Sequence, residues 1–423
     1  MAASSRNSTS RTRRRAARSV TPRSSQNGTA RGSSCPSSAS VRDSRRSAVT
    51  HMAGEDTSSA DLAPPPLPPL AKAAAGTGFA ELEGDLLRGT LAMGVDRWFW
   101  GEGVCLLATW RAAEARGATP PQLVLDYMGR HATRLPVLEH VNNMAPAATA
   151  AELLRASGDP GARRLVDACL AWYQDAPEAT RASNGALEHW PGGVWADTVY
   201  MAGEFLLRAG RALERPELTR EAVQQWLAHA EQLQDTSTGL FAHGTNQGTR
   251  IDCFWGRANA WIALAGADLL HLAGDDPAIG EVRERLAVQL QTLAALQPDH
   301  GVWDVLVDGP IETRGILETS AAAGIGAALL RGSALLEQQL PVADRPLRRA
   351  GERAVLGSLA YVDDGRLTRV SAGTVLQLIP FGYSVIRDDR VQPWGQGLAL
   401  EAIAAWNETT APSSSAPEPE EHS

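Results

Sequence analysis

Asp197 is the acid that the sequence sets apart. It lies in HWPGGVWADTVYMAGEFLL, His189 to Leu207, behind two tryptophans, Trp190 and Trp195, and ahead of an apolar helical stripe. A carboxyl there has two uses. In the first turn of a helix it meets free N–H groups and the positive end of the dipole, which alone accounts for an acid at that place. Kept dry by the indoles it becomes a proton donor or base, because burial raises its pKa and counters the dipole. Similar residues recur in five other stretches: GVDRWFWGEG, TRLPVLEHVNN, TSTGLFAHGTNQGTRIDCFWGRANAW, QPDHGVWDVLVDGPIETRGILETS and VLQLIPFGYSVIRDDRVQPWGQG. In or beside them fall His140, His189, His243, His300 and most of the tryptophans, Trp255, Trp261 and Trp394 included. Indoles beside hydrogen-bonding groups suit a sugar, which offers an apolar face to stack and hydroxyls to pair. The alternative use of a tryptophan at a helix start is to plug a core.

The elements that position these residues are helices. From about residue 78 the apolar positions recur at helical spacing, which predicts twelve helices near 79–91, 98–116, 120–133, 143–157, 161–177, 195–211, 215–233, 255–273, 277–297, 316–336, 342–360 and 394–407. Tight polar turns (GATP, SGDP, RPE, GDDP) alternate with the long aromatic segments. When helices run up and down around a ring, every second connection shares a rim, so the long segments meet at one end. The fold class expected is all-α, an (α/α)6 barrel or six-hairpin toroid, over residues 77–410; no fixed-period repeat suggests an open solenoid.

Residues 1–76, rich in Arg, Ser and Pro and ending in LAPPPLPPL, read as disordered, and 411–423 as a disordered acidic tail. The head resembles an organellar transit peptide yet lacks the apolar run of a secretory signal, and Met52 is an equal candidate for the start. Residues 1–50 hold eleven Arg against Asp43; the formal net charge of −8 therefore leaves an acidic body, unsuited to a phosphate backbone. Cys35, Cys105, Cys169 and Cys253 lack paired spacing, so neither a disulfide frame nor a metal site is expected, and a reducing cytoplasm fits. No apolar run approaches the roughly 18 residues of a membrane span. The expected partner is a small sugar substrate, not nucleic acid or membrane; oligomeric state is not encoded legibly.

The motifs GGVWADTVYMAGEFL, LFAHGTNQG, FWGRANAW, ILETSAAAG and PWGQGLAL stand in the order found in the unsaturated rhamnogalacturonyl hydrolases, glycoside hydrolase family 105, related to the unsaturated glucuronyl hydrolases of family 88. The chain resembles that family over about residues 80–407. The resemblance implies an (α/α)6 barrel, no cofactor and an unusual hydrolysis. A carboxyl protonates C4 of a 4,5-unsaturated uronic acid, water adds at C5, and the hemiketal opens. The family's proton donor falls on Asp197, and its substrate-contacting histidine on His243. Arg257 suits the uronate by type, with a buried ion pair to Asp252 or Glu204 as the alternative. Trp255 and Trp261 are expected as stacking or wall residues, with core packing as the equal alternative, His189, Trp190 and Trp195 as shaping the pocket, and Trp394 as lining it. The family's second acid has no obvious counterpart in LEHVNNMAP, which offers Glu139, His140, Asn142 and Asn143. Ala258 and Ala260 replace glycines, and Glu204 stands where proline is common. Glu318 is read as capping its helix, with lining the pocket as the alternative. Competing readings are an inverting glycosidase pairing Asp197 with Glu139 or Glu318, an epimerase using His243 with His189 or His140, and a non-catalytic sugar-binding module.

Overall fold

The computed structural model describes Lys72 and residues 74–410; the expected disordered head and acidic tail fall outside the described residues, apart from Lys72 and 74–76. Among the described residues stand twelve long helices: α1 (Ala80–Met93), α2 (Trp100–Ala115), α3 (Gln122–Thr133), α4 (Ala145–Ser157), α5 (Pro160–Asp175), α6 (Glu204–Ala212), α7 (Pro216–Leu233), α8 (Gly256–Leu272), α9 (Ile279–Ala295), α10 (Thr319–Leu336), α11 (Pro346–Leu359) and α12 (Pro393–Thr410). The expected segments recur within a few residues, except that the run beginning at Asp197 is not one regular helix. A π-turn, Val199–Gly203, separates its first residues from α6. Periodicity read it as continuous, because one wide turn barely disturbs the apolar spacing.

Helices α2, α4, α6, α8, α10 and α12 touch in sequence, and α12 closes on α2. They are the inner ring, with the other six outside. Composition explains the sorting. Inner helices are apolar or small almost all round, as in α8, where Gly256 to Leu269 are buried without interruption. Outer helices carry an apolar stripe and a charged face, as in α5, begun by Pro160 and capped by Asp159, whose Oδ1 accepts from Ala162 N–H at 2.6 Å. Ring closure needs close approach. A Cβ on Gly397 of α12 would lie 2.8 Å from Cys105 Cα of α2, so glycine is required there. Contrary to the sequence reading that no apolar run approaches a membrane span, helix α10 is long and apolar enough to cross one; 83% of it is buried in the ring, where its apolarity serves the core.

All six inner helices start at the rim bearing the long segments, so their positive dipole ends point there and their negative ends converge at the opposite side. Basic residues answer that convergence. Around a cavity of about 490 Å³ at the far end stand Arg111, Arg155, Arg208, Arg211, His271 and Arg331, with Glu114, Glu152, Asp268 and Glu408. Arg111 bridges Asp268 and Glu401, Arg331 joins Glu401 to Glu408, and Arg208 bridges Glu204 and Asp268. This buried knot ties inner helices α2, α6, α8, α10 and α12 together.

Within it Glu204 is the uncomfortable member. Burial, reinforced by the nearby Asp268 charge, pushes its pKa up to about 8 despite Arg208 and Arg111. The folded state then binds a proton more tightly than the unfolded chain, whose Glu titrates near 4.3, so wild-type stability falls as pH rises from about 4.5 through 8. Glu204→Gln removes that slope. Denaturant midpoints at pH about 5 and about 9 should converge in the variant and differ in the wild type; an unchanged wild-type slope in the variant would clear Glu204 of the role.

Candidate active site

Two rim segments are laced so that Asp197 and His243 meet. Thr245 N–H donates to Val194 O at 2.8 Å and Ala196 N–H to His243 O at 3.0 Å, with Trp195 opposite Gly244. Only glycine fits at 244, since a Cβ would lie 2.5 Å from Trp195 Cδ1. His243 N–H donates in turn to Cys253 O, and the lacing continues with Trp255 opposite Leu306 and Asp304 opposite Leu317. The rim is thus a belt of short antiparallel bridges over the inner helix starts. Loops so tied position side chains far more tightly than free ones.

Asp197 opens the helical run just before the π-turn, a local widening found frequently at functional sites. Its Oδ2 lies 3.3 Å from His243 Nε2, off the line of a full hydrogen bond. That oxygen is buried while the side chain as a whole stays 14% exposed, so the open oxygen is Oδ1. His243 is fully buried, packed over Trp255 at 4.4 Å, and its Nδ1 sits 2.7 Å from the Tyr383 hydroxyl. Trp195 stacks on His189 at 4.5 Å and leans on His243 at 5.3 Å. His189 in turn places Nδ1 3.0 Å from Thr198 Oγ1 and Nε2 3.4 Å from Asn142 Nδ2. Trp190, 49% exposed, lies over His140 at 3.9 Å. Asp197, His243, His189, Trp195, Asn142 and Trp190 therefore belong to one aromatic arc.

Burial drives the Asp197 carboxyl up, but His243, with His189 and Arg257 behind it, outweighs burial and leaves the pKa below the ordinary 3.8. Sequence leaves open which influence on this acid wins; here the indoles do dry it, and the neighbouring nitrogens more than compensate. Burial pushes His189 down to about 3, so it stays neutral at any working pH.

Other expected site residues fall elsewhere. Arg257 is buried, with Nη1 donating to Ser371 O (2.9 Å) and Oγ (2.8 Å), Nη2 to Ala372 O (2.9 Å), and Glu318 3.6 Å away. Neither Asp252 nor Glu204 pairs with it; they bond Arg250 and Arg208. In this conformation a uronate would have to displace Ser371 and Ala372 to reach the fork. Trp261 is no wall: it is buried in the core against Tyr200 at 4.8 Å, because it lies one turn further into α8. Trp255 is floor beneath His243, not a stacking face. Trp394 stacks on Trp100 at 4.2 Å and donates Nε1–H to Ser371 O, plugging the seam. Glu139 is exposed, and its backbone N–H donates to Asn143. Glu318 is wholly buried and caps α10, accepting from Ala321 N–H, Ser320 Oγ–H and Ser371 N–H. Tyr383 was missed. It comes from a short helical turn, Pro380–Ser384, and no local spacing links it to a histidine 140 positions earlier.

A closed six-hairpin ring with an acid among indoles and imidazoles at its loop-bearing rim is the architecture of a carbohydrate-processing (α/α)6 enzyme. The chain belongs to Glycosyl Hydrolase Family 88, whose family model matches residues 87–409. It is 36% identical over 239 residues to the unsaturated rhamnogalacturonyl hydrolase YesR of Bacillus subtilis, a match covering 54% of this chain and 66%, just under two thirds, of YesR. Among solved structures, a possible GH105 family member from Salmonella enterica is similar at TM-score 0.68 and 26% identity, over 74% of this chain and 84% of that one. The unsaturated glucuronyl hydrolase of Bacillus sp. GL1 shares the fold at TM-score 0.60 and 18% identity, over 78% and 96%.

Proposed function

We propose that this protein is an unsaturated uronyl hydrolase: it removes the 4,5-unsaturated uronic acid from the nonreducing end of lyase-generated oligosaccharides, with Asp197 as the proton donor. The observation that carries this reading is that neither acid offered as a second carboxyl is free to act with Asp197: Glu318 is spent on the α10 cap, and Glu139 is exposed on the segment before α4. An inverting glycosidase needs two carboxyls across the scissile bond, about 6.5–9.5 Å apart. Hydration of an enol ether needs one. A pair of histidines for epimerisation is also disfavoured, since burial pushes His189 down to about 3 and lowers His140 as well.

The steps balance on one group. Asp197 gives its proton to C4, the alkene electrons form that C–H bond, and positive charge develops at C5, shared with the ring oxygen. Water adds to C5 and returns a proton to Asp197. The resulting hemiketal opens by breaking the bond between C5 and the ring oxygen, which leaves a hemiacetal at C1; its collapse breaks the glycosidic bond and releases the adjoining sugar and a 5-keto uronate. Six convergent helix starts and a rigid rim favour the uronate anion. Trp190 and Trp195, with Asn142 and His189, form the sugar-facing wall. Rhamnose is the sugar proposed beside the uronate, on the strength of the name of YesR. A cytoplasmic setting is proposed from Cys105, Cys169 and Cys253, all free and buried.

The test is a panel of unsaturated pectic, glycosaminoglycan and ulvan disaccharides. Turnover should erase the ultraviolet absorbance of the conjugated enoate and release the neighbouring sugar, fastest for the rhamnosyl substrate. Unchanged absorbance across the panel, or activity confined to saturated glycosides, would sink the reading.

A further inference from the structure

We propose that Tyr383 is a positioning residue that fixes the tautomer of His243 and thereby directs the acidic proton of Asp197 to Oδ1, the oxygen open to the substrate. The inference rests on Asp197 being the acid. Tyr383 is fully buried on the segment between α11 and α12. Gln377 N–H donates to its hydroxyl at 3.3 Å, which uses the oxygen as an acceptor and leaves its own hydrogen for His243 Nδ1 at 2.7 Å. Burial holds the phenol well above its ordinary pKa, so that hydrogen stays in place. An imidazole accepting at Nδ1 carries its hydrogen on Nε2 when neutral. Nε2 faces Asp197 Oδ2 at 3.3 Å.

The consequence concerns which oxygen holds the proton. An Oδ2 that meets an N–H is an acceptor, so the acid must carry its hydrogen on Oδ1. The reverse tautomer would present a bare Nε2 and draw the proton to Oδ2, which is buried. The product carboxylate, in contrast, is stabilised by the same N–H as it waits for the proton from water. Other groups facing Asp197 are His189 and Arg257, and those facing Tyr383 are Cys253 and Asp197 itself; Tyr383 is the bonded partner of His243 Nδ1 among the described residues.

Nitrogen NMR of histidine-labelled free protein tests the tautomer. The expected result is an unprotonated Nδ1 and a protonated Nε2 for His243, assigned by loss of its signals in His243→Gln. In Tyr383→Phe the two tautomers should mix and kcat should fall about a hundredfold, with KM changed less than about threefold. A protonated Nδ1 in the wild type overturns the proposal, as does a Tyr383→Phe enzyme with wild-type kcat. Should that variant fail to fold, the wild-type spectrum decides alone. Should the wild type turn over none of the unsaturated panel, the functional reading falls, while the spectrum of the free protein still judges the Tyr383 contact.

Discussion

Asp197→Asn should lower kcat on unsaturated disaccharides by at least about a thousandfold, since proton transfer to carbon is the chemistry itself; that corresponds to about 4 kcal/mol of barrier. Asparagine keeps the shape and still places a polar atom against His243 Nε2, so folding and sugar binding should survive. A bound substrate with its enoate intact is the expected signature, read by equilibrium binding alongside turnover. A near-normal rate would remove Asp197 from the mechanism. The pH dependence sharpens the prediction. In the free enzyme the carboxyl titrates below the ordinary 3.8, so at neutral pH it is largely ionised. A bound uronate brings a like charge and expels water, and both raise the pKa. Activity requires the protonated form, so both profiles decline as pH rises, but the limb of kcat should lie at higher pH than that of kcat/KM. Coincident limbs would mean that binding does not tune the acid.

The second large effect is on stability, at the far end of the ring. Asp268→Asn leaves Arg111 and Arg208, both buried, without their shared carboxylate. Breaking a buried ion pair from one side costs about 3–5 kcal/mol, because the remaining charge is uncompensated. The denaturant midpoint should drop accordingly with its slope unchanged, while kcat of the folded enzyme stays close to wild type. The sign with pH follows from the depressed pKa of Asp268, which burial opposes and the two guanidinium groups bring about. Such an acid contributes stability that is present above its unfolded value, near 3.9, and is lost as pH falls toward the folded value. The variant should therefore lose less of its stability on acidification than the wild type does. A midpoint unchanged at neutral pH would show that the knot is not what holds the inner helices.

Helix count, ring and rim were legible because each depends on short-range pattern. Apolar spacing marks a helix, and the alternation of turns such as SGDP with long aromatic segments marks which connections share an end. Asp197 and His243 were legible for a related reason: each sits in a compact motif at the start of an inner element or just beside one. Misplaced residues share a different property. Arg257 and Trp261 lie four residues apart on α8, and sequence offered the pocket for both, with a buried ion pair and core packing as the alternatives; one turn of helix is enough to carry the indole into the core.

What the sequence by itself determined is the architecture and the place of the candidate acid, since local periodicity, turn chemistry and a contiguous motif carry that information. What only the tertiary structure decided is how the acid is held. Tyr383 reaches His243 across 140 positions, and Arg111 reaches Asp268 across 157, through contacts that no local spacing encodes. The net pKa of Asp197 is likewise a balance between burial and the imidazoles and guanidinium around it. Burial is visible in the tryptophans of the motif, but the balance exists only once segments far apart in the chain have been brought within a few ångströms.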